Sequence, residues 1–134
     1  GFDTTRNPSV NRVLQILVAL AAIMFILTGV RWLVAPAGVA PMFGLTLGDG
    51  VGLSSQVGDM SAFFLTLGIC MLVALVSGRR VWFYPPIILL SLTALGRVIA
   101  WLVHDAALAV DLIAPEVIVA ALLLVASRRL PEQA

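Results

Sequence analysis

The sequence predicts an all-α membrane protein, a bundle of four transmembrane helices with both termini cytoplasmic. Three observations lead there. Of 134 residues, 61% are hydrophobic and only 11% are charged, whereas soluble domains carry about 25% charged residues. The apolar stretches are long enough to cross a bilayer, and arginines bracket or interrupt them. When four spans are threaded, most of those arginines fall on one side of the membrane.

The first span is expected over residues 13–34. Residues 13–30 are uncharged and mostly apolar, and at ~1.5 Å per residue they cover about 27 Å of a hydrocarbon layer about 30 Å thick. The polar stretch before Val13 is too long for the n-region of a typical cleaved signal, and the apolar run after it is too long for a signal's apolar core, so this span reads as a retained anchor. Residues 35–54 read as a loop, with five glycines (Gly38, Gly44, Gly48, Gly50, Gly52), two prolines and Asp49. The Pro41-Met42-Phe43 and 45–47 pieces are apolar enough to lie in the interface or to dip back toward the bundle, and the sequence leaves lid, re-entrant turn and plain connector open.

The second span is expected over 55–77, closed by Gly78 and by Arg79 and Arg80, which suit the negative end of a helix dipole. The third, 82–103, places Pro85 and Pro86 in its first turn, where missing N–H groups cost least. The fourth, 108–127, ends at Arg128, Arg129 and Pro131. Because Glu116 follows Pro115, a helix starting only at the proline would be too short to span, so its true start lies nearer Asp111. The small-residue pairs Gly58/Ala62 and Gly96/Ala100 have the spacing that lets membrane helices approach closely.

All eight basic residues are arginines. Arg6, Arg12, Arg79, Arg80, Arg128 and Arg129 fall on one side of the threaded chain and only Arg31 and Arg97 toward the other, a strong positive-inside bias that puts both termini in the cytoplasm. Trp82 and Tyr84 then belong to the inner aromatic belt, and Trp32 and Trp101 to the outer one.

Charge inside the spans is the informative anomaly. Arg31, Asp59, Arg97 and Glu116 come one from each span at similar depth in the outer half. Each costs about 2.5–3.5 kcal/mol if left facing lipid at mid-bilayer. Pairing across the bundle removes most of that cost, so an interior polar cluster is expected, with Arg97 bonded to Glu116 or Asp59. On the third span Arg97, Trp101 and His104 share one face, which adds an indole and an imidazole to a vestibule that Asp105 borders. The plainer alternative treats these charges as interhelical glue and outer anchors, with Arg31 snorkelling to headgroups and Asp59 capping a helix start.

Several function classes are excluded. No basic stripe suits nucleic acid. The lone Cys70 forbids an internal disulfide or a CxxC pair. A single histidine without HExxH or paired-histidine spacing gives no metal site, and no catalytic residue or cofactor is implied. The expected role is therefore non-enzymatic. Either the cluster binds a lipid, a quinone or another small amphipathic or anionic molecule, or the chain is an accessory subunit of a larger membrane complex. A small dimeric proton-coupled transporter, with Glu116 or Asp59 as the protonatable carboxylate, is the second reading. A membrane enzyme using His104 and Asp105 at the outer interface is the third.

Four short spans, a Gly96-Arg97 pair late in the third, Asp105 at its exit and a Pro115-Glu116 entry into the fourth resemble a group of bacterial four-helix membrane proteins related to the DoxX-like proteins. The resemblance covers residues 13–127. It implies a four-helix bundle of the inner membrane and singles out Arg97 and Glu116, without supplying a reaction.

Overall fold

The computed structural model describes residues 8–132, so Arg6 lies outside the described residues. Among these residues are five α-helices, α1 (Pro8–Val34), the single turn α2 (Pro36–Val39), α3 (Gly50–Ser77), α4 (Tyr84–Val103) and α5 (Val110–Arg129), with 3-10 turns at Ala40–Phe43 and Arg80–Phe83 and no strand. Four of these segments, α1, α3, α4 with its preceding 3-10 turn, and α5, are long and apolar enough to cross a membrane. This is the four-helix, all-α architecture expected from the sequence.

The helix ends follow local chemistry. Pro8 opens α1, where its missing N–H is no loss, and Asn11 and Arg12 continue the helix, so it starts five residues earlier than apolarity alone suggests. Pro36, which cannot continue a helix, limits α1 at the other end. The second spanning helix also begins early, at Gly50 rather than residue 55. Gln56 is the reason: its Oε1 accepts from Gly48 N at 2.7 Å and its Nε2 donates to Thr46 O at 3.0 Å, holding the incoming strand of loop against the first turns of α3. Gly78, at φ +66°, caps α3 by donating to Ala74 O, a left-handed geometry that suits glycine. The third span starts as a 3-10 turn at Arg80, ahead of the expected Trp82. The fourth begins at Val110 and runs to Arg129, two residues later at each end than expected, because residues 105–109 form the turn itself.

The helices form two antiparallel hairpins, α1 with α3 and α4 with α5, and the first pair is the more intimate. Glycines explain this. A Cβ on Gly68 would stand 2.6 Å from the Ala22 carbonyl oxygen, and one on Gly29 would stand 2.7 Å from Leu65 Cγ. Gly58 and Gly96, the positions singled out by spacing, have open space where a Cβ would go, so close approach occurs elsewhere. Spacing alone does not say which face of a helix carries the partner.

A core of Val18, Ala22, Phe64, Leu67, Met71, Leu90, Leu123 and Ala126 joins the two hairpins. The segment 35–49 is no plain connector. Val39 and Ala40 are buried, and Phe43, Leu45 and Leu47 pack on the core, so the loop folds back over one end of the bundle. Beneath it lies Trp32, 0% exposed, its ring 6.3 Å from that of Phe43. Trp32 is therefore a buried floor for the loop and not the interfacial anchor expected, whereas Trp82, Tyr84 and Trp101 are exposed. The opposite end gathers the start of α1, the α3–α4 connection and the end of α5. There Arg80 Nε donates to Ser127 O at 2.6 Å and Arg80 N to Glu132 Oε2 at 2.8 Å, tying the α3–α4 connection to the end of α5.

Candidate functional site

The α4/α5 hairpin positions the charges. Arg97 lies six residues before the last residue of α4 and Glu116 six residues after the first of α5, so each stands ~9 Å from the connecting turn and the two face one another at equal depth. Arg97 Nε donates to both Glu116 oxygens, at 3.0 Å to Oε1 and 3.1 Å to Oε2. The side chains keep 26% and 12% of their exposure respectively. Neither terminal nitrogen of Arg97 has an acceptor among the described residues. Pro115 precedes the glutamate and has no N–H to offer Asp111, which leaves this first stretch of α5 less rigidly bonded than the rest.

Two cavities flank the pair. The first, of about 240 Å³, opens between the hairpins on the α1/α5 side and is walled by Met24, Phe25, Met42, Leu90, Leu112 and Pro115. The second, of about 250 Å³, lies on the α3/α4 side and is walled by Asp59, Met60, Thr93 and Arg97. Phe43, Phe63, Phe64 and Glu116 belong to both. Phe64 is the centre of this partition, with ring centroids 5.2 Å from Phe43, 5.1 Å from Phe63 and 6.0 Å from Phe25, the range of favourable aromatic contacts. The partition thus combines a rigid aromatic set with one carboxylate.

The seven residues grouped at sequence level divide. Arg97 and Glu116 pair, whereas Asp59 is exposed and not interior: it borders the open α3/α4 cavity without a hydrogen bond or ion pair among the described residues. Asp59 sits nine residues inside α3, ~14 Å from its start, so it does not cap the helix. Arg31 is a correction: it does not reach the interior but donates to Gly38 O at 3.2 Å and to Met42 Sδ at 3.5 Å, because the folded-back loop offers acceptors directly above it. Trp101 is 46% exposed and lines neither cavity. His104 terminates α4 with its N–H on Ala100 O, and its side chain is exposed. Asp105, at φ +57°, follows it into the turn. Arg31, Trp101, His104 and Asp105 therefore stand apart from the pair, and the one-face vestibule drawn on α4 does not form. Among the described residues no three metal-ligating side chains converge.

Phe63, Phe64 and Thr93 are the lining residues that sequence reasoning passed over, and Phe43 joins them from the loop piece whose apolarity left it free to dip back toward the bundle. The adjacent phenylalanines on α3 were a signal available in principle, but only the fold shows that a loop residue completes their cluster. Comparisons with protein-family models, curated proteins and solved structures match nothing to this chain. Its chemistry is read from the site itself.

Proposed function

We propose that the chain is a non-enzymatic, multi-pass inner-membrane protein that holds a small amphipathic molecule between its two hairpins, a lipid or quinone being the class the cavities suit. The observation that carries this reading is that Glu116, held by Arg97, stands in the shared wall of two cavities, the first otherwise apolar and the second bordered also by Arg97 and Asp59. Glue between α4 and α5 alone needs no cavity beside it, whereas here an exposed aspartate of α3, without an ion-pair partner among the described residues, borders the same open space as the arginine, which keeps donor capacity. Ligand pockets combine apolar walls with a few placed polar groups in this way. Kinship with the DoxX-like proteins belongs to the same proposal and rests on the Gly96-Arg97 and Pro115-Glu116 pairs.

Orientation is part of it. Arg12, Arg79, Arg80, Arg128 and Arg129 gather at the end where α1 starts and α5 finishes, which favours a cytoplasmic placement of that end by the positive-inside rule. The cavities then lie toward the extracytoplasmic side. The experiment is native mass spectrometry of the protein released from mild detergent. Retention of a stoichiometric lipid or quinone is expected, and Leu90→Trp, which fills the apolar cavity, should remove it. A protein that carries no amphiphile and always copurifies with larger subunits would favour the accessory-subunit role instead.

A further inference from the structure

Within the ligand-binding reading just given, the two cavities differ in what they ask of a ligand. The α1/α5 cavity offers methionine, leucine and aromatic surface, which suits an acyl chain. The α3/α4 cavity offers donors and acceptors at separate places. Arg97 spends Nε on Glu116 and keeps both terminal nitrogens as donors. Asp59 offers an unpaired carboxylate, and Thr93, whose hydroxyl proton is committed to Leu89 O at 2.7 Å, offers lone pairs only.

Charge arithmetic narrows the class further. At their formal charges Asp59, Arg97 and Glu116 sum to one negative charge in excess, which disfavours a simple anion, while a simple cation would leave the guanidinium donors unused. A headgroup carrying both signs satisfies both walls: its anionic oxygens accept from Arg97, for which phosphate geometry is well matched, and its ammonium donates to Asp59 and Thr93. We propose that the ligand is a lipid whose headgroup joins a phosphate to a primary ammonium, seated with phosphate on Arg97, ammonium on Asp59, and chain across the Phe43/Phe63/Phe64 partition into the apolar cavity.

The test is equilibrium binding of lysophosphatidylethanolamine to the full chain in nonionic detergent, beside a fatty acid of equal chain length and free phosphoethanolamine. The lysolipid is expected to bind at least tenfold more tightly than the fatty acid. Asp59→Asn should weaken the lysolipid tenfold or more, the range of one charge-assisted hydrogen bond, while strengthening the fatty acid; Asp59→Glu should restore the preference. Asp59 has no bonding partner in the described fold, so helicity by circular dichroism and elution volume should not change in these variants. Free phosphoethanolamine should fail to displace the lysolipid; displacement at equal concentration would overturn the lipid assignment. A fatty acid that binds wild type as tightly as the lysolipid, or an unchanged preference in Asp59→Asn, would overturn the headgroup assignment yet leave the amphiphile-binding reading standing. If no amphiphile binds at all, both fall.

Discussion

Arg97 and Glu116 illustrate how a charge is made tolerable inside an apolar bundle. Two Nε–H···O contacts to one carboxylate spread the interaction over both oxygens, and removing either partner strands the other in a low-dielectric site at a cost of about 3–5 kcal/mol. Arg97→Leu and Glu116→Leu singly should each destabilise the protein by that order in a detergent denaturation titration, whereas the double variant should cost markedly less than the sum. Additive losses would mean that the pair is not coupled. Glycine positions provide a second contrast. Gly68→Ala forces a Cβ into the Ala22 carbonyl and should cost more than about 2 kcal/mol in the same titration, overpacking being the cause. Gly96→Ala enters open space and should gain up to about 1 kcal/mol from helix propensity.

The element that departs most from expectation is the segment between the first two spans. Its glycines and prolines mark a connector, yet hydrogen bonds from Gln56 and Arg31 fasten it at both ends and Phe43 drives it into the aromatic partition. Gln56→Ala removes two of those bonds, each worth about 0.5–1.5 kcal/mol net. Hydrogen exchange at residues 44–49 should then speed up by roughly an order of magnitude, while exchange in α4 and α5 stays as it was. A rise spread evenly over the bundle would show that the loop is not an independent unit. Phe43→Ala should act more broadly, because this one ring faces Trp32 and Phe64 and walls both cavities.

For the whole molecule, two hairpins meet over a sparse common core, tied at one end by Arg80 and separated toward the other end by the cavities. Domain-scale stability therefore concentrates in α1/α3. Arg80→Ala should loosen the hairpins at its own end and lower the thermal midpoint by several degrees, with the α1/α3 pair the last to lose helicity. The proposed orientation makes its own demand: a fluorescent reporter fused after residue 134 should fold and emit in the cytoplasm, and an alkaline phosphatase at the same place should be inactive. The opposite pattern would reverse the assignment of the cavities to the extracytoplasmic side.

Hydropathy, arginine placement and proline position determined the number, type and approximate limits of the spans, because each is a property of a helix considered alone against lipid. The Arg97–Glu116 contact was also legible, since a hairpin places residues equally far from its turn side by side. Which glycines touch, where Arg31 turns, that Trp32 is buried and that Phe43 joins Phe63 and Phe64 are relations between elements distant in the chain. Those were decided by tertiary structure: local periodicity places a side chain on its own helix, but only packing chooses what stands opposite it.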